Sequence, residues 1–373
     1  MSEIVQRHYE QYPYPRYPLL ASIRSRDTYA LNLQSLWRHA NGEPPPPQAR
    51  AILIAGCGTF APYPFSLANP DCTVTALDLS QKSLKRARLH CLLHGRRNVR
   101  FVVGDLEEKT VAPGPFGLID AYGVLHHLQD PLKGLRALVQ RAAPGGIIRL
   151  MLYSRTARRD KEALRLAFRL LGVTSVKTAR EMVRRAPPGS RLRAFFEASR
   201  EMDDDVGLAD ALLHPCARTY RIDEVLLLLK EAGLKVLRYA HDGAMQEIEK
   251  EEERLRVLER EQCSADNFVL YAVRENSQRR DSTPDAMVVL NPCLTGVAGA
   301  LLPGRVRITT RFGGENQLLG WSGRRFLNRF RRPTPLAALS PGDRERAHRF
   351  MAALFLSCHE GAAKPDAAAV STP

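Results

Sequence analysis

Five apolar residues, Ala51-Ile52-Leu53-Ile54-Ala55, run without a polar break into Gly56-Cys57-Gly58-Thr59, and Asp78 stands at the end of the next apolar run. An unbroken apolar strand is buried on both faces, which requires a parallel sheet covered by helices on both sides. Similar runs recur at 73–77, 99–103, 117–122 and 146–153, with helical patterns at 80–94 and 131–142 between them. Ser80 suits the N-cap of the first helix; Asp130 with Pro131 suits the start of the second. The alternation predicts an α/β fold, a doubly wound Rossmann-like sheet.

Around that sheet the 373 residues divide further. Residues 1–47 are predicted to form an extended or turning aromatic arm, interrupted by Pro13, Pro15 and Pro18, and a helix over 27–40 with Asp27 as its cap and Gly42 beyond its end. The four prolines at 44–47 read as a stiff spacer. The sheet domain is expected over 48–274, interrupted by a helical insertion over 155–218. Residues 155–200 hold 13 Arg or Lys against 4 Asp or Glu. A helix over 222–232 closed by Gly233, final strands at 234–239 and 268–273, and an acidic helix over 244–261 reading as a solvated face complete it. A polar linker at 275–285 leads to a small separate α+β domain over 286–358, rich in arginine, and residues 361–373 read as a disordered tail.

Composition narrows the class. Apolar residues at 44% and charged residues at 25% are ordinary for a globular protein. No apolar run approaches the roughly 20 residues of a membrane span, and Met1–Arg7 precede no apolar core, so a cytoplasmic protein without membrane attachment is expected. Seven scattered cysteines form neither a disulfide framework nor a metal site. The net charge of +15 invites an anionic partner, RNA or an acidic protein among them, although arginine-rich, lysine-poor usage also follows from genome composition.

The glycine loop alone admits two ligands. Gly-x-Gly-x-x-Ala with an acid about 20 residues on satisfies the dinucleotide fingerprint. Pro62 and Pro64, however, remove N–H groups from the place where a pyrophosphate needs them. S-adenosylmethionine (SAM) carries adenosine without phosphate and loses nothing there. Gly104-Asp105 ends the third strand, where a carboxylate can accept from an adenine amino group.

With Val124-Leu125-His126-His127-Leu128-Gln129-Asp130-Pro131 after the fourth strand and Pro144-Gly145-Gly146 before the fifth, residues 50–274 resemble class I SAM-dependent methyltransferases. The likeness is closer to bacterial modules of the kind found fused to tetratricopeptide repeats, on three features: the Tyr9-Glu10-Gln11-Tyr12-Pro13-Tyr14-Pro15-Arg16 arm, Tyr153-Ser154-Arg155-Thr156-Ala157-Arg158, and the stretch from His214 to Tyr220. No such repeats occur here. The resemblance implies SAM as cofactor and S-adenosylhomocysteine as product. It places Gly56, Cys57, Gly58, Thr59, Asp78, Leu79, Gly104, Asp105, Leu106 and Tyr122 on the cofactor. Many class I enzymes carry an acid two residues before the first glycine; here that residue is Ile54, and Phe60 replaces a common third glycine.

Methyl transfer from a sulfonium needs alignment and sometimes removal of a proton. His126 and His127, after the fourth strand, and Tyr153, after the fifth, are the candidates for that work. Both histidines can equally hold their loop. For the acceptor the candidates are Tyr12, Tyr14, Arg16 and Tyr17 of the arm, acting as a lid, and His214, Arg218 and Tyr220, which can instead pin the insertion. Three functions stay open: a methyltransferase acting on a small molecule, favoured here; one acting on RNA or protein through 155–200 and 305–332; and a non-catalytic binding protein on the same fold. The intact glycine loop, Asp78 and Asp105 argue against the last.

Overall fold

The structure, a computed structural model, describes residues 2–108, 110–263, 266–277, 285–299 and 304–360. The expected tail at 361–373 and most of the expected linker lie outside the described residues. In chain order, α1 (Ser2–Gln11) and α2 (Leu33–Asn41) precede β1 (Ala51–Ala55), α3 (Pro62–Ala68), β2 (Thr73–Asp78), α4 (Gln81–Leu93), β3 (Val99–Val103), β4 (Phe116–Tyr122), α5 (Pro131–Arg141) and β5 (Ala142–Leu152). The insertion supplies α6 (Arg159–Leu170), α7 (Val176–Arg185), α8 (Arg191–Ala198) and α9 (Asp205–Leu208), the last running into a π turn at Ala209–Leu213. Then come α10 (Ile222–Glu231), β6 (Leu234–Tyr239), α11 (Ile248–Arg260) and β7 (Phe268–Arg274).

The seven strands lie in the order β3-β2-β1-β4-β5-β7-β6. Pairing is parallel from β3 to β5, and β7 enters antiparallel between β5 and β6. Each face of this sheet buries its own apolar layer, one around Ile52, Ile54 and Leu118, the other around Leu53, Ile119 and Leu150. The insertion has a third, separate core around Phe168, Phe196 and Leu212.

The C-terminal residues form β8 (Met287–Leu290), α12 (Thr295–Ala298), β9 (Val306–Ile308), β10 (Gln317–Leu319), α13 (Trp321–Asn328), β11 (Thr334–Pro335), α14 (Pro341–Ala352) and β12 (Leu356–His359). Strands β11-β8-β12 make a small sheet, and β9 pairs with β10. Their apolar side chains share one continuous core with α2 and one face of the large sheet, so the unit expected to be separate packs directly onto the sheet.

Three local expectations are corrected. The arm opens with a regular helix, because Pro13, the first proline, lies beyond Gln11 and breaks nothing before it. The helix expected over 27–40 is split at Asn32: a 3₁₀ turn spans Ser25–Leu31, and α2 begins afterwards with the Asn32 side chain accepting from Ser35 N. Gly42 closes α2 at φ 71°. The acidic helix α11 is not merely a solvated face. Glu251 is fully buried there, accepting from His241 Nε2 at 2.7 Å, Met245 N at 2.9 Å and Arg254 Nε at 2.7 Å. Those donors hold its carboxyl down at about 2 against the burial that opposes them.

Candidate active site

The turn after β1 is shaped by its glycines. Gly56 and Gly58 have φ of 70° and 54°, the left-handed region that side chains resist. Gly56 N and Cys57 N both donate to Leu77 O, at 2.8 and 3.0 Å, which tethers the turn to β2. Asp78, 8% exposed, locks it: its Oδ2 accepts from Gly58 N at 2.7 Å and its Oδ1 from Ser80 N at 2.8 Å. Burial lifts its carboxyl to about 6, and the two backbone donors oppose the rise. After β3, Asp105 is fixed by accepting from Glu107 N at 2.9 Å.

A cavity of about 920 Å³ opens beside these residues. Gly56, Cys57, Gly58, Asp78, Leu79, Gly104, Asp105, Leu106 and Tyr122 line it, so nine of the ten residues expected on the cofactor face one space. The tenth, Thr59, lies outside the lining, 3% exposed, with its hydroxyl donating to Pro15 O and its N–H to Tyr14 O at 3.1 Å.

That contact belongs to a roof. Gln6 Nε2 donates to Leu79 O at 3.0 Å, and Ser80 Oγ donates to Tyr9 O at 3.2 Å. The Tyr17 ring sits 4.5 Å from that of Phe60. Tyr14 and Tyr17 line the cavity; Tyr12 packs on the insertion core instead, and Arg16 is exposed with its guanidinium 3.9 Å from Asp204. The main chain of the arm thus runs over the glycine loop.

The far end of the cavity is built by β4, β5 and the insertion. Tyr153 and His127 line it. His126 does not: it is fully buried, stacked on Tyr153 at a ring separation of 3.5 Å, and neither of its nitrogens meets a hydrogen-bond partner among the described residues. His127 Nδ1 lies 2.6 Å from Cys216 O, which accepts its proton and leaves Nε2 as the lone pair. Burial pushes His127 down to about 3, and His126 well below the ordinary histidine range. His214 packs tilted against His127 at a ring separation of 3.8 Å and meets His8 edge-on at 4.7 Å, forming a row of neutral rings rather than a wall. Arg218 donates to Gln129 O at 2.7 Å, and Tyr220 N donates to Tyr153 O at 2.8 Å, so both tie the insertion to the sheet outside the lining.

Tyr9 of the arm and Arg158 of the Tyr-Ser motif line this end together with three residues the sequence did not single out, Lys161, Glu201 and Asp210, and Asp120 and Arg149 line the side towards the first core layer, paired at 2.9 Å. Asp210 had a legible signal: it is the single charge in the run from Val206 to Leu213, and a lone charge in an apolar run implies a buried one with a task.

The geometry fits SAM. The cavity offers two anchored carboxylates for hydroxyl and amino donors and a loop that main chain can approach. Helix α3, which follows the loop, opens on Pro62 and Pro64, so it presents no row of N–H groups for a pyrophosphate. Comparisons agree. Residues 53–150 match the methyltransferase domain family. An uncharacterised protein of Synechococcus sp. is 28% identical over 64% of this chain, which spans 60% of that protein's length. The ubiquinone biosynthesis O-methyltransferase of Thiobacillus denitrificans is 27% identical over 48% of this chain and 75% of its own. PKMT2 from Rickettsia typhi, also solved in complex with S-adenosylhomocysteine, shares the fold at a TM-score of 0.55, with 15% identity over 94% of this chain and 77% of that one. The sheet order, the loop and the matched residues define a class I SAM-dependent methyltransferase domain. Its cofactor is SAM.

Proposed function

We propose that this chain transfers the methyl group of SAM to a small-molecule acceptor. Enclosure is the observation that carries the reading: the cavity runs from the glycine loop to Tyr153 beneath the α1 and Tyr14–Tyr17 roof. Bound SAM supplies an electrophilic methyl on a good leaving group. The chain's residues do the rest. Gly56, Cys57, Gly58, Asp78 and Asp105 hold the adenosine end, Tyr122 and the loop hold the methionine end, and the roof excludes water. His127 and Tyr153 bound the acceptor space.

Docking of RNA or protein through the basic insertion is the competing reading. Much of that charge is neutralised within the insertion: Lys161 pairs with Glu201, Arg180 with Asp205, and Arg184 and Arg185 with Glu181. The O-methyltransferase relatives add support for a hydroxyl-bearing small molecule. The arm and the Tyr-Ser turn support a place beside modules fused to tetratricopeptide repeats.

The test is transfer of labelled methyl from SAM into a lysate of the source cell, with parallel samples treated with nuclease, treated with protease, or filtered. Label in the small-molecule filtrate is expected. Label confined to RNA or protein overturns the acceptor class, and failure of the purified chain to bind SAM overturns the activity itself.

A further inference from the structure

We propose that Asp210, held by Tyr9, seats the acceptor's O–H or N–H and takes its proton as the methyl is transferred, an inference that rests on the function proposed above. Asp210 lies on the π turn at Ala209–Leu213, a backbone widening that recurs at functional sites. It is 4% exposed and still lines the cavity. Its Oδ1 accepts from Tyr9 Oη at 3.0 Å. Its Oδ2 receives no hydrogen bond from the described residues, and on a residue that lines the cavity it is left open to a donor arriving there. An acceptor's O–H or N–H is such a donor.

The neighbouring cations are engaged elsewhere. Lys161 bonds Glu201; Arg158 lies 3.5 Å over the Tyr153 ring with Glu162 at 3.8 Å. Tyr9 from α1, Tyr14 from the arm, Tyr153 after β5, Glu201 and those two cations are the groups that surround Asp210. Burial and the charge of Glu201 lift Asp210 to about 6, while burial holds His127 at about 3. At neutral pH both are unprotonated, and the carboxylate is the stronger base. In the step, the acceptor's lone pair forms the new bond to the methyl carbon. The carbon–sulfur bond breaks with its electron pair left on sulfur, and the acceptor's proton passes to Asp210 Oδ2. Tyr9 is a positioning residue: it aims the carboxylate and stabilises its charge, so the base is complete only with the arm docked.

The experiment measures the rate of label transfer against pH, in whichever lysate fraction takes the label, for wild type, Asp210→Asn and Tyr9→Phe. Affinity for S-adenosylhomocysteine is measured beside it by calorimetry. Expected is an acid limb near pH 6 in the wild type, a loss of at least about 100-fold in Asp210→Asn at unchanged product affinity, and an acid limb moved upward in Tyr9→Phe. Asp210→Asn that keeps its rate, or that loses rate with the acid limb in place, overturns the proposal and leaves the methyltransferase reading intact. Cofactor binding with no labelled product in any fraction overturns the base together with the activity it serves.

Discussion

The amide of Gly58 donates to Oδ2 of Asp78 at 2.7 Å, joining the turn after β1 to the end of β2 through one carboxylate. The same carboxylate accepts from Ser80 N at the start of α4. Asp78 therefore has two tasks: it fixes the loop, and its remaining lone pairs face the cavity where a ribose is expected. The spacing that reads as a nucleoside site is also the spacing that closes the loop.

Asp78→Ala removes both tasks. Affinity for SAM falls by about 10- to 100-fold, the range of one or two hydrogen bonds to a charged group. Titration calorimetry against wild type checks it, and unchanged affinity sinks the ribose assignment.

Gly58→Ala tests the roof. A Cβ there meets Tyr14 O at 2.5 Å, and φ of 54° is strained for any side chain. The strain alone costs about 1–3 kcal/mol, and the contact pushes the arm off the loop. The variant is expected to melt lower and to be cut faster by protease within residues 1–20. A cleavage rate matching wild type disproves the coupling of arm and loop.

The parallel strands were legible as short apolar runs, four of the five ending at a glycine or an acid, a pattern that burial on both faces imposes. Positions defined by tertiary partners were not. Asn32 splits the first helix because its Nδ2 reaches Ala68 O at 2.8 Å while Asn69 Oδ1 takes Leu33 N at 2.7 Å, both long-range bonds. Glu251 reads as one more acid on a charged helix until His241 closes on it. At the site, the loop residues follow from local backbone chemistry and line one cavity. Arg218, Tyr220 and His214 share composition with binding residues, yet the first two bond main-chain carbonyls and His214 accepts from Cys216 N and packs on the rings of His8, Tyr9 and His127. Asp210 and Tyr9 are 201 residues apart, a pairing no local pattern encodes.

The clustered, buried histidines make the protein acid-sensitive. Burial holds His8 at about 4 and His127 at about 3, and lowers His126 and His214 as well. Groups depressed below their unfolded value of 6.5 contribute stability in full above that pH and lose it as pH falls towards 4 and 3. Each loses up to about 1.4 kcal/mol per pH unit in its window. Asp78 and Asp210, raised to about 6, work the other way as pH falls below 6, as do the raised carboxyls of Asp120, Glu252 and Glu259, but His90 joins the four depressed imidazoles and the histidine loss begins higher, at 6.5. Thermal melting from pH 7.5 to 4.5 is expected to fall, and to fall less in His8→Leu. A flat profile, or an equal fall in the variant, contradicts the account.

Where many class I enzymes place an acid in the first strand, this chain has Ile54, and Ile54 pairs directly with Asp120 in β4. Asp120 in turn pairs with Arg149 in β5, so the acid at this level of the sheet lies one strand over and is neutralised at 2.9 Å. Arg149 also lies 4.4 Å over the ring of Tyr122, and all three line the cavity. A buried pair is worth little against apolar residues of equal size, yet removing one partner strands the other. Arg149→Met is therefore expected to lower unfolding stability by about 3–5 kcal/mol in urea titration. The double variant Asp120→Ala with Arg149→Met is expected to recover most of that loss, since the two charges act as one unit. Additive losses in the double variant would show instead that Asp120 and Arg149 each hold the sheet independently, and that the two charges do not act as one unit.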